Sequence, residues 1–116
     1  MEELVTKIKN SDALILGTPV YWWGPTAQFK AFLDRWYGID QTVFQDKRII
    51  LAIPMGGGNS YYARHTVGMF EEICKYLGMN HVESIIASGM NGRGSVRESL
   101  ITIQNAREAG ARSVTY

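Results

Sequence analysis

The sequence holds one cysteine, two histidines and three prolines, and each scarcity closes off a class of protein. A single thiol, Cys74, excludes an internal disulfide. It lies among apolar residues at helical spacing and reads as a small buried hydrophobe rather than a nucleophile. His65 and His81 do not make a metal-binding cluster. Charge of either sign is not in excess either: 12 Lys and Arg stand against 11 Asp and Glu, for a formal net charge of +1. They are scattered, so the chain has no basic footprint for nucleic acid and no polybasic membrane surface. No apolar run approaches the roughly 20 residues that span a bilayer, and the start, Met-Glu-Glu, is unlike a secretory leader. The expected location is the cytoplasm, and the expected partner is a small molecule or another protein.

Two further absences concern chemistry. The sequence has no Ser-His-Asp or paired-carboxylate arrangement, and neither the dinucleotide glycine fingerprint nor a G-x-x-x-x-G-K-[ST] loop. Any redox chemistry must therefore come from a bound cofactor.

What is present is a chain of 116 residues, 46% of them hydrophobic, enough for one globular domain over 1–116. Helical and strand patterns alternate between loops rich in Gly, Pro and Asn, which predicts parallel strands with crossover helices, an α/β fold. A short helical run covers Met1 to Lys9. Ala13 to Gly17 and Ile49 to Ile53 are aliphatic runs of the kind found in strands covered on both faces, and Val82 to Ser88 is a more mixed third strand. Phe29, Phe32, Leu33 and Trp36 make one helical stripe that Gly38 can end, and Val67, Phe70, Cys74 and Leu77 make another before Gly78. Ser95 and Glu98 have the spacing of a capping box at the start of the last helix. Val96, Leu100 and Ile103 form its expected stripe, and Gly110 its expected end.

Two loops stand where open α/β sheets bind flat ligands, at the carboxyl ends of strands. The first, Thr18 to Pro25, presents Tyr21, Trp22 and Trp23 from a segment stiffened by two prolines and a glycine. These rings suit a planar heterocycle, with loop amides and carbonyls bonding its polar edge. They equally suit packing under the neighbouring helix or in a subunit interface. The second, Pro54-Met55-Gly56-Gly57-Gly58-Asn59, lets backbone approach a ligand closely or forms a flexible turn. A third loop, Gly89 to Gly94, carries Arg93, which could face a phosphate or carboxylate but reads first as a solvated arginine.

The run Asp12-Ala13-Leu14-Ile15-Leu16-Gly17-Thr18-Pro19-Val20-Tyr21, continued by Gly24-Pro25-Thr26-Ala27-Gln28-Phe29-Lys30-Ala31-Phe32-Leu33-Asp34-Arg35, resembles the NADPH-dependent FMN reductase family. This flavodoxin-like group includes iron–sulfur flavoproteins and quinone reductases. The Gly56 to Asn59 turn is similar to that family's second flavin loop. The resemblance implies a flavodoxin-like three-layer sandwich, truncated, with three strands corresponding to strands 3-4-5 of the family's 2-1-3-4-5 sheet. It implies FMN contacts at Pro19, Val20, Tyr21, Trp22, Trp23, Gly24, Gly56, Gly57, Gly58 and Asn59, and no metal. It implies NAD(P)H as the electron donor and a quinone, free flavin or iron–sulfur centre as the acceptor.

The family's opening strand, its Ser/Thr/Gly-rich phosphate loop and the next helix and strand have no counterpart here. FMN affinity of the isolated chain is therefore expected to be weak or absent. The strand Ala13 to Gly17 is expected to be an uncharged edge that pairs with another copy, giving a homo-oligomer. Two other functions remain open: a non-catalytic module that completes its sheet with a partner chain, and a flavin-based electron carrier.

Overall fold

Three parallel strands in the order β1-β2-β3 form the sheet of the computed structural model, which describes residues 2–115. They are β1 (Ala13–Gly17), β2 (Arg48–Pro54) and β3 (Asn80–Ala87). Parallel neighbours need a long crossover. Here the crossovers contain α2 (Ala27–Arg35) and α3 (Arg64–Leu77), while α1 (Glu2–Lys9) precedes the sheet. Met1, the first residue of the expected opening helix, lies outside the described residues. After β3 come a single helical turn, α4 (Ser95–Glu98), and a longer helix, α5 (Leu100–Thr115).

Side chains alternate across β2, and one face points into the main core. Ile49, Leu51 and Ile53 pack there with Phe29 and Leu33 of α2, Phe70 and Cys74 of α3, and Ile8 of α1. The α2 stripe continues into a tight turn at Trp36–Gly38, where the indole of Trp36 stacks on Phe44 at 4.6 Å and takes the edge of Phe32 at 5.5 Å. Burial, and then the charge of Glu71, pushes the Cys74 thiol up to about 11. That thiol is inert at neutral pH, as its apolar surroundings imply.

Helix ends follow the local chemistry. Thr26 caps α2, its hydroxyl accepting from the Phe29 amide. Gly78, at φ 71°, adopts the left-handed conformation that ends α3, and the Met79 amide bonds back to the Cys74 carbonyl at 2.8 Å. Glycine reaches that conformation without the Cβ penalty. Lys47 donates from Nζ to the carbonyls of Lys9, at 3.0 Å, and Ser11, placing a cation at the carboxyl end of α1.

The end of the chain departs from the expected pattern. Ser95 makes no capping box with Glu98. Its Oγ instead accepts from the Gly92 amide and donates to the Gly92 carbonyl, and α4 stops after one turn because Ser99 turns extended. Ser99 restarts the helix with its own Oγ, which accepts from the Thr102 amide at 3.4 Å and donates to the Thr102 hydroxyl at 2.7 Å. The buried stripe of α5 is then set by Ala109, with Thr102, Ile103 and Gly110 partly covered, while Leu100 is 81% exposed and Val96 is exposed too. Gly110 sits inside the helix rather than after it. The strands also shift slightly: β2 gains one residue at each end, and β3 begins and ends earlier than expected.

One face of β1 is not covered as an aliphatic strand predicts. Helix α5 packs on β3 and β2, and Ile15 at the middle of β1 is 72% exposed.

Candidate functional site

Thr18 fixes the aromatic loop at both ends. Its amide extends the parallel ladder to the Ala52 carbonyl at 3.0 Å, and its buried hydroxyl accepts from the Thr26 amide at 3.1 Å and donates to the Pro19 carbonyl at 2.9 Å. The loop from strand to helix is thus closed by one side chain. Within it, Tyr21 and Gly24 exchange amide-to-carbonyl bonds in both directions, at 2.9 and 3.2 Å. The two residues between them, Trp22 and Trp23, have φ of 51° and 65°. This is the pattern of a two-residue type I′ turn, which normally carries Asn-Gly. The turn holds the two indoles 6.2 Å apart, with Trp22 90% exposed. Tyr21 and Trp23 are exposed as well, which overturns the alternative of rings packed under the neighbouring helix.

The glycine loop is pinned from the opposite side. Met55 donates to the Ala87 carbonyl, while Gly89 and Met90 donate to the carbonyls of Gly57 and Met55 at 2.8 and 2.9 Å. A Cβ on Gly56 would lie 2.6 Å from Oδ1 of Asn91, and one on Gly57 would lie 2.8 Å from the Tyr62 ring. Both glycines are therefore places of close approach. Asn59 accepts the Tyr61 amide on Oδ1 at 2.9 Å and starts the tight turn Ser60–Ala63, which swings Tyr62 back against the loop.

Between the two loops lies a hollow of about 250 Å³, walled by Val20, Trp22, Trp23, Met55, Gly56, Gly57 and Tyr62. It sits at the carboxyl ends of β1 and β2, and none of the side chains lining it is charged. Larger hollows occur beneath α5, with an almost wholly apolar wall, and between α2 and α3. The first reaches Pro54, next to Met55, and neither is lined by a residue of the aromatic loop.

The sequence profile of the flavodoxin-like fold family matches residues 1–110. The chain belongs to that family. This flavodoxin-like chain is 26% identical over 110 residues to an FMN-dependent NADH:quinone oxidoreductase of Saccharophagus degradans, covering 85% of this chain and 53% of that protein. It is 39% identical over 79 residues to an iron–sulfur flavoprotein of Archaeoglobus fulgidus, covering 66% of this chain and 31% of that one. It therefore spans about half the length of the first relative and about a third of the second. Among solved structures, the Trp repressor binding protein of Bacillus subtilis superposes with a TM-score of 0.83 at 22% identity, over 90% of this chain and 72% of that one.

Of the residues singled out from the sequence, the flavodoxin-like fold brings Val20, Trp22, Trp23, Gly56 and Gly57 around one hollow. Pro19, Tyr21, Gly24, Gly58 and Asn59 lie outside its wall: Tyr21 and Gly24 form the base of the turn, and Asn59 caps the segment that carries Tyr62. Sequence reasoning placed Thr18 and Met55 in the two loops without giving either a role, and it missed Tyr62 and Asn91. Tyr62 had a signal, an aromatic pair just past a glycine loop. Asn91 had none, because its approach to Gly56 depends on how β3 registers beside β2.

Proposed function

We propose that the chain binds the isoalloxazine ring of FMN between the Trp22-Trp23 turn and the Gly56-Gly57 loop, as a flavin-dependent NAD(P)H oxidoreductase. The observation that carries this reading is the shared hollow at the ends of adjacent parallel strands, with aromatic walls on one side and bare backbone on the other. The residues present suit a flat tricyclic ring. Glycine at 56 and 57 leaves amides and carbonyls within reach of a ligand edge, and indole and phenol faces offer stacking. The names of the relatives, an FMN-dependent NADH:quinone oxidoreductase and an iron–sulfur flavoprotein, support the same cofactor.

The chemistry a bound flavin supplies is transfer of hydride from a reduced nicotinamide and onward passage of electrons to an acceptor. The chain's own contribution is placement. Thr18 and the type I′ turn fix Trp22 and Trp23, the loop from Gly89 to Asn91 fixes the glycine backbone, and Tyr62 closes the side wall. Residues 1–116 act in this reading as one domain, in the cytoplasm, as a homo-oligomer joined through the open edge of β1. The bare edge equally favours a module that completes its sheet with a separate chain.

The deciding measurement is titration of the purified chain with FMN, followed by flavin and tryptophan fluorescence, together with NADH and NADPH oxidation in the presence of FMN. Binding quenches both emissions, and Trp22→Ala weakens it by about tenfold, the worth of one aromatic contact. Failure of FMN to bind at millimolar concentration overturns the reading.

A further inference from the structure

Resting on the flavin reading above, we infer that the hydroxyl of Tyr62 is the proton donor to the final electron acceptor, so that acceptors taking up protons with their electrons are reduced through this side chain. Tyr62 is the wall residue of the hollow that bears an O–H, set among Val20, two indoles, Met55 and glycine backbone. The fold gives it a fixed place. Asn59 opens the tight turn with its side chain, and the Tyr62 amide bonds back to the Asn59 carbonyl at 3.1 Å. A Cβ on Gly57 would lie 2.8 and 3.3 Å from Cδ2 and Cε2 of the Tyr62 ring, so the ring keeps this position because residue 57 is glycine. Among the described residues the Tyr62 hydroxyl has no hydrogen-bond partner, which leaves it free to donate to a ligand. The side chain is 42% exposed, so water can return a proton to it. Tyr61 is placed differently: its ring lies under the Arg64 guanidinium, 3.8 Å from the centroid, and takes no part in the wall.

Reduction of a quinone consumes two electrons and two protons. One proton travels with the electron pair, as hydride from the reduced ring, and the other must come from an acid. In the step inferred here the O–H bond of Tyr62 breaks and its proton forms an O–H bond of the hydroquinone. The quinone is reduced, the flavin ring is oxidised, and the tyrosinate takes a proton from water. Donor and product oxygens are both phenolic, so the proton moves between groups of similar acidity. An acceptor of electrons alone, such as ferricyanide, bypasses the step.

The test uses the full chain loaded with FMN, reduced anaerobically with hydrogen over palladium and mixed in stopped flow with menadione or ferricyanide. Tyr62→Phe keeps the ring and should bind FMN within about threefold of the parent. Its reoxidation by ferricyanide should be unchanged, whereas menadione should react about tenfold or more slowly and lose its solvent deuterium isotope effect. Tyr61→Phe should alter neither rate. A second readout needs no turnover: the oxidised, FMN-loaded chain is titrated with menadione and with 2-methylnaphthalene, the same carbon skeleton without carbonyls. The parent should prefer menadione, and Tyr62→Phe should remove about threefold to tenfold of that preference, the worth of one hydrogen bond. Equal menadione rates for the parent and Tyr62→Phe overturn the inference and leave the flavin reading intact, as does a loss shared equally with ferricyanide. Failure of the parent chain to bind FMN removes the flavin reading itself, and this inference with it.

Discussion

Trp22 and Trp23 occupy the left-handed region of backbone space, at φ 51° and 65°, where a residue bearing Cβ loses roughly 1–2 kcal/mol. Asn-Gly would make the same turn without that loss, and it would not leave an indole 90% exposed. Strain at a solvent-facing aromatic turn fits the proposed ligand contact better than a role in stability. The consequence is a pair of opposite effects. The double variant Trp22→Asn, Trp23→Gly should raise unfolding stability by about 1–3 kcal/mol, seen as a higher urea midpoint at unchanged slope. The same variant should lose the quenching of added flavin. A double variant less stable than the parent would show that the turn is not strained.

At the scale of elements, the sequence was most legible where hydrophobic spacing and punctuation agreed. The α3 stripe of Phe70 and Cys74 ends at Gly78, because pattern and cap point to the same boundary, whereas the Thr26 cap that opens α2 was not read from the spacing. The two loops that line the small hollow were legible for the same reason: each directly follows an aliphatic strand. Legibility failed at the last helix, where two serines compete to start it. Ser95 has the acidic residue at the right spacing, but its hydroxyl is taken by Gly92, and Ser99 makes the contacts to Thr102 that open α5. Which serine wins depends on how the helix docks on β2 and β3, and local spacing carries no record of that. The competition is measurable by denaturant unfolding. Ser99→Ala should destabilise the chain by about 1 kcal/mol, the usual worth of a capping hydroxyl. Ser95→Ala removes a contact confined to its own exposed loop and should change stability by less than about 0.5 kcal/mol. Equal losses at the two sites would contradict this assignment of the cap.

Across the whole molecule, apolar surface is distributed unevenly. The face of the sheet toward α1, α2 and α3 is filled by the main core, whereas on the other face α5 reaches β3 and β2 and leaves Ile15 largely bare. Leu100 and Ile101 on α5 are exposed as well, at 81% and 74%. Among the described residues β1 pairs with β2 alone, so its other edge presents unpaired amides and carbonyls, with no charged side chain in the strand to deter a second chain. Such an edge is a template for pairing. An antiparallel two-fold pair centred on β1 would set its middle residue, Ile15, opposite its own mate, so that the bare methyl groups of two copies cover one another. A charge at this position acts twice, since the symmetry brings two like charges together. Sedimentation velocity at micromolar concentration should therefore find a dimer for the parent chain and a monomer for Ile15→Lys. Circular dichroism should show the variant still folded, because Ile15 contributes nothing to the main core. A parent chain that sediments as a monomer under these conditions would sink the two-fold pairing and leave the edge to a different partner.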